Sequence, residues 1–208
     1  MNFDLIYTFI AASAMLALSP GPDNIFVMLQ SMTHGVRFGL ATVAGLMTGC
    51  LVHTSLVALG VSAVIKQSEL LFTLLKFAGA LYLFYLAYKV FRSPSGIDLR
   101  QGATPRKSVG KLYIQGFFMN VLNPKVSIFF LAFFPGFLFS DSMSHVAQFY
   151  VLGGLFIMTS FIVFGLIAIL AGKIAGYVGG HKGVGSFLKW LQIVVFTGLG
   201  IFILLSEN

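Results

Sequence analysis

Two short stretches place chemically useful residues inside otherwise apolar sequence: Ser19-Pro20-Gly21-Pro22-Asp23-Asn24 and Asn120-Val121-Leu122-Asn123-Pro124-Lys125. Pro20 and Pro22 each lack an N–H and clash with the preceding turn, so a helix must break here. Carbonyls near Leu16 and Leu18 are then expected to lose their helical partners. Gly21 lets the chain leave helical geometry, and Asp23 or Asn24 is expected to cap the restarted helix. Asn120, Asn123 and Pro124 give a second break of the same kind, followed at once by Lys125. Asp23 and Lys125 are the one acid and the one base expected deep within apolar segments, where ionisable groups are costly and mark pathways or relays. Freed carbonyls and Asp23 suit an ammonium group. Restarted-helix N–H groups and Lys125 suit a carboxylate. A zwitterionic amino acid meets both halves of that description. The plainer alternative is that Asp23 caps a kinked helix and Lys125 pairs with it. A kink needs no charge, so the binding-site reading is preferred.

Other polar residues in apolar surroundings are weaker candidates. Gly45, Gly49 and His53 recur every four residues and so share a helix face. The glycines admit a neighbouring helix, and His53 is either a proton relay or solute contact or a hydrogen-bonded interhelical histidine. Tyr82, Tyr85 and Lys89 read as packing and an interfacial anchor, Lys76 as a snorkelling or paired lysine, and Gln115 as interfacial. Pro135-Gly136 is placed to kink a helix. His34, His145 and His181 fall in predicted loops without metal-ligand spacing. Cys50 is the single cysteine, which excludes an intramolecular disulfide or a cysteine-pair metal or redox site and leaves a structural thiol. No cofactor is expected.

The elements that must position these residues follow from composition. Hydrophobic residues make up 58% of the 208 positions and charged residues 9%, against about a quarter charged in soluble domains. The chain lacks the polar surface to face water and is read as an integral membrane protein. Its 23 Phe and 23 Gly fit apolar bulk for lipid contact and small residues where helices meet. Residues 1–4 lack the basic region of a signal peptide, so the run after them is expected to be a retained helix. With about 20 apolar residues per crossing, spans are predicted near 5–32, 39–65, 70–91, 112–139, 146–170 and 187–205. Residues 92–111 form a polar linker between repeat 1 (1–91) and repeat 2 (112–208) of a single transporter domain.

Pro20 and Pro124 lie 124 − 20 = 104 residues apart, half of 208. Three spans per half is an odd number, so the halves enter the membrane from opposite sides. The expected fold is all-α: six transmembrane helices as two inverted three-helix repeats, with helices 1 and 4 interrupted, an arrangement that puts a solute site at the matched breaks. Ten basic residues (Arg37, Lys89, Arg92, Arg100, Arg106, Lys107, Lys111, Lys173, Lys182 and Lys189) fall on one side and Lys66 alone on the other. The basic side, with the 92–111 linker, is expected to be cytoplasmic, with both termini outside the cell (inner) membrane. The net charge of +7 is thus orientation signal, and nucleic acid is not an expected partner. Gly-rich helix faces leave room for a homodimer.

An enzyme is disfavoured: an intramembrane aspartyl protease needs two cooperating carboxylates, and only Asp23 lies at depth. Ser55 or Ser127 with His53 lacks a nucleophile motif. A metal-ion exporter or channel using the same broken-helix site is the alternative function.

The run Ser19-Pro20-Gly21-Pro22-Asp23 resembles the signature of the LysE/RhtB superfamily of amino-acid exporters. The likeness continues through Gly35-Val36-Arg37-Phe38-Gly39, Gly79-Ala80-Leu81-Tyr82-Leu83, and Asn120 to Lys125 followed by Phe129-Phe130. It covers essentially the whole chain, the C-terminal third in hydropathy alone. The resemblance implies efflux of amino acids or close analogues, coupled to protons, with likeness to the threonine/homoserine and leucine exporters rather than the lysine exporter. Related branches export cadmium or carry thiol-disulfide electrons; few carboxylates and a single cysteine argue against each.

Overall fold

Helix α1 (Phe3–Leu18) begins where the Asn2 side chain accepts from the Asp4 and Leu5 amides at 3.1 and 3.4 Å, satisfying open first-turn donors. It ends at Ser19. Helix α2 (Pro22–His34) restarts with Pro22 in its first position, where a missing N–H removes no helical bond. The same construction recurs in the second half. Helix α5 (Val109–Val121) is capped by Ser108, and α6 (Pro124–Ile128) opens on Pro124 behind an Asn123 cap. The bends at the two breaks are 62° and 50°.

Between these pairs lie α3 (Val36–Leu56), which runs on into a π-helical turn over Val57–Val61, and α4 (Glu69–Arg92). Gly35 joins α2 to α3 at φ +103°, a left-handed backbone that glycine alone adopts readily. After α6 the chain continues through a π turn (Phe129–Phe133) and a 3-10 turn (Phe134–Phe137), so the Pro135-Gly136 pair does sit in irregular helix. Helices α7 (His145–Gly180) and α8 (Lys182–Leu205) complete the chain.

The computed structural model describes residues 2–19, 21–63, 69–93, 107–180 and 182–205, which form helices and no strand. Pro20, Lys66, His181, Glu207 and most of the 92–111 linker, with Arg100 and Arg106, lie outside the described residues. By length and hydropathy, Val36–Val61 and His145–Ala171 can each cross a membrane, and counting each bent pair as one span brings the number to four.

Several boundaries differ from expectation. His34 closes α2 and His145 opens α7, so neither lies in a loop. Helix α7 also continues well past 170, because Gly172 and Lys173 weaken a helix by only about 1 kcal/mol or less and need not end it.

Packing concentrates on α3 against α5 and α4 against α8, with α7 touching α1, α2 and α3. The α3–α5 approach depends on glycine: a Cβ on Gly45 would collide with the Tyr113 carbonyl, and one on Gly116 with the Thr42 carbonyl. Small residues thus bring two backbones together. The phenylalanines divide between two uses: Phe3, Phe77, Phe118, Phe161 and Phe187 are exposed, as lipid-facing bulk would be. Phe9, Phe129, Phe130, Phe133, Phe134 and Phe137 are essentially fully buried rather than facing lipid. They stack on one another, with Phe130 and Phe134 at 4.2 Å and Phe129 and Phe133 at 4.5 Å between centroids. Aromatic bulk is what fills the space beside a helix that has left regular geometry. Lipid-type exposure falls to residues such as Leu70, Leu81, Leu122, Ile162 and Leu205.

Candidate functional site

The two breaks meet. Asn123 Nδ2 donates to Asp23 Oδ2 at 2.9 Å, and Lys125 Nζ donates to the Ser19 carbonyl at 3.3 Å. Each break therefore holds the charged group, or a freed backbone oxygen, of the other. Asp23 is buried, and Lys125 Nζ also lies 5.3 Å from the Phe196 ring centroid on α8, a cation–π distance.

Local geometry explains how these residues are held, and it departs from several readings of the sequence. Gly21, not Asp23 or Asn24, stands at the N-cap of α2, and no side chain caps that end. Asn24 instead reaches back, its Nδ2 donating to the Ala17 carbonyl at 2.7 Å. The freed oxygens with side-chain partners are therefore those of Ala17 and Ser19, while the Leu16 carbonyl still accepts from the Ser19 amide at 3.2 Å. Gly21 has φ −149° and ψ 176°, extended backbone open to any residue, and a Cβ there would meet its neighbours only at ordinary van der Waals distance. A Cβ there would lie 3.8 Å from Lys125 Nζ. Finally, Asp23 and Lys125 bond neutral partners rather than each other. On α6, Asn123 serves twice, its Oδ1 accepting from the Lys125 amide at 3.0 Å while its amide holds Asp23.

A cavity of about 40 Å³ lies between the breaks, room for about three waters. Gly21, Pro22, Asp23, Asn24, Asn120, Asn123 and Lys125 all line it, so these candidates of the two breaks reach one space, whereas Pro124, also a candidate, does not line it. Sequence reasoning missed further lining residues: Cys50 on α3, and Phe156, Ser160 and Phe164 on α7. Ser160 sits in an apolar helix with no flanking break, so nothing in its local sequence marks it.

Asn120 links the cavity wall to α3. Its Nδ2 donates to Cys50 Sγ at 3.4 Å, and its backbone carbonyl lies 3.2 Å from His53 Nε2. His53 is buried against the Phe130 ring but does not line the cavity, so of its two expected roles the geometry matches the interhelical hydrogen bond. Gln115 accepts from Lys107 at an exposed position, and Tyr82 and Tyr85 pack ring against ring. Ser127 Oγ bonds the Asn123 carbonyl and Ser55 faces Tyr150, so neither hydroxyl is aligned with His53. Among the described residues no group of three His, Cys, Asp or Glu is arranged to hold a metal ion.

A model of the LysE type translocator family matches residues 14–207. The chain is 36% identical over 189 residues to the homoserine/homoserine lactone efflux protein of Salmonella typhimurium, covering 91% of each. It is 24% identical over 192 residues to the leucine efflux protein of Salmonella choleraesuis, covering 92% of this chain and 91% of that one. No solved structure matches.

Proposed function

The chain belongs to the LysE type translocator family, and from that premise we propose that it is a secondary transporter exporting amino acids or close analogues from the cytoplasm, coupled to protons. The observation that carries this reading is the mutual engagement of the two breaks through Asn123–Asp23 and Lys125–Ser19. Both contacts are exchangeable. A solute ammonium can replace the Asn123 amide on Asp23, and a solute carboxylate can replace the Ser19 carbonyl on Lys125. The amide and carbonyl act as stand-ins for the two ends of a zwitterion when the site is closed. A cavity with room for about three waters is too small for an amino acid, so loading requires α1–α2 and α5–α6 to part at their breaks. Asp23, hydrogen-bonded to a neutral amide rather than to a cation, is the group that would alternately take a proton and a solute.

The full arrangement on this reading is six spans in two inverted repeats, with the basic side cytoplasmic and the termini outside. Two contacts support the assignment of ends. The Asn2 amide bonds the Phe139 carbonyl at 2.9 Å, joining the N-terminus to the acidic Asp141 region. Lys189 bonds the Ser93 carbonyl at 2.7 Å, joining the basic ends of α8 and α4.

The test uses cells loaded with homoserine-containing or leucine-containing peptides, following intracellular amino acid with and without the protein. The intact chain is expected to lower accumulation. Asp23→Asn, present in the membrane at wild-type level, is expected to abolish that effect. Normal export by this variant would remove Asp23 from the mechanism.

A further inference from the structure

Beyond the second break the chain carries buried rings from the cavity to one end of the molecule. It leaves Lys125 in the cavity wall, passes through residues 129–137, and reaches Phe139, whose carbonyl accepts from the Asn2 amide. The rings thus stand between the cavity and the end where Asn2, Asp4 and Asp141 lie together. Phe9, on α1, meets three of them: Phe134 at 5.1 Å and Phe137 at 5.4 Å, both edge-on, and Phe133 at 6.1 Å. Phe202 on α8 stacks on Phe137 at 4.8 Å. Phe9, Phe133, Phe134 and Phe137 are each 1% exposed or less, so the stack closes this end of the cavity to water. The backbone bearing it is π-helical over Phe129–Phe133 and 3-10 over Phe134–Phe137, geometries that mark hinges within helices. The opposite end is closed differently. Met28 on α2 meets Ala171 and the half-buried Ile167 on α7 in a small cluster separate from the main core. Beside it α2 lies on α3 where Gly39 leaves room for Ser31. A flexible thioether among small side chains repacks readily, whereas interlocked rings hold a fixed geometry.

We propose that the ring stack is the outward gate of the transporter. Phe9 parts from Phe133, Phe134 and Phe137 to release solute, and stays packed on them while solute enters past Met28. This rests on the export reading above and on the orientation given with it. The asymmetry of the two seals suits an exporter. A loading side that opens readily keeps the site available to cytoplasmic solute, because affinity falls with the fraction of protein able to bind. The release side must stay shut meanwhile, or solute and protons leak through, and that is the side closed by rings from α1, α8 and the segment after α6.

The experiment follows modification of Cys50, the single cysteine and part of the cavity wall, by a small sulfonate-bearing methanethiosulfonate that does not cross the bilayer. The reagent is added, without solute, to right-side-out or to inside-out vesicles. Wild type is expected to react several times faster from the cytoplasmic face. Phe9→Ala removes one side of three ring contacts and is expected to raise the outer-face rate about tenfold or more, with the cytoplasmic-face rate unchanged. Phe9→Leu, which keeps apolar bulk, should stay close to wild type. A misfolded Phe9→Ala would react fast from both faces. Phe202→Ala, at the half-buried rim of the stack, then carries the test with the same one-sided rise expected. An outer-face rate unmoved in folded variants, or a rise from the cytoplasmic face alone, overturns the outward gate. Homoserine export is measured alongside: export with the outer-face rate unmoved strikes the gate alone. A one-sided rise in a protein that exports no amino acid strikes the transport reading instead.

Discussion

Gly49 is the position where a single methyl group tests whether the α3–α5 contact positions the site. An alanine Cβ at Gly49 would lie 2.7 Å from Asn120 Oδ1, 2.8 Å from its Cβ and 3.0 Å from its Cγ. Non-bonded carbons rest at about 3.5–4.0 Å, so Asn120 must retreat by about 0.7–1 Å. Its amide end can swing, but its Cβ moves only with the α5 backbone. That backbone is itself packed on α3 at Gly45 and Gly116 with no room for a side chain. Overpacking of this kind costs about 1–3 kcal/mol, and the shift strains the Asn120–Cys50 hydrogen bond, now 3.4 Å. Displacing a site group by about 1 Å can cost up to two orders of magnitude in rate. Gly49→Ala is therefore expected to lower the melting temperature in detergent and to cut amino-acid export at least about tenfold at matched membrane level. Gly60→Ala and Gly154→Ala, where a Cβ meets nothing within 4 Å, serve as controls and should match wild type in both assays. Wild-type export and melting by Gly49→Ala would refute the claim that this contact holds the cavity wall in place.

Other expectations follow from single contacts. Asn123→Asp sets a carboxylate where an amide now bonds Asp23 at 2.9 Å, and like charges repel there. Export by Asn123→Asp is expected to fall below that of Asn123→Ala in the same efflux assay. Gln148 is fully buried and uses its whole side chain, accepting from the Phe139 and Ser140 amides and donating to the Ser140 and Met143 carbonyls. Gln148→Leu strands these backbone groups and is expected to cost roughly 2–4 kcal/mol, seen as a lower melting temperature with unchanged solute preference. His53→Gln removes one interhelical bond, expected to cost about 1 kcal/mol. It should keep at least about half of wild-type export, since His53 does not line the cavity and side-chain truncations outside a site act mainly through stability; complete loss would restore the relay role.

The breaks were legible because proline and asparagine act locally. Pro22 and Pro124 mark helix starts through their missing N–H, whatever the rest of the fold does. The half-chain spacing of Pro20 and Pro124 was enough to expect that Asp23 and Lys125 share one space. What local rules could not supply was the partner of each group. Capping preference pointed Asp23 or Asn24 at the α2 N-terminus, whereas tertiary contacts turn Asp23 to Asn123 and Asn24 to Ala17. Ser160 and Cys50 stayed hidden for a related reason: each sits within a continuous apolar helix, and only packing shows which face meets the cavity. The phenylalanines carry the same lesson, since composition predicts apolar bulk but does not say whether it faces lipid or fills the space around an irregular helix.

Cys50 offers the most direct test that solute sits between the breaks. It is the only cysteine in the chain, fully buried, and part of the cavity wall, so a thiol reagent can reach it only when the site opens. The measurement is the rate of Cys50 alkylation by a small maleimide in membrane vesicles, with and without saturating homoserine. Homoserine is expected to slow labelling severalfold in wild type and to have no effect in Asp23→Asn. A wild-type protein that exports homoserine while Cys50 labels at the same rate with and without it would contradict a solute site between the two breaks.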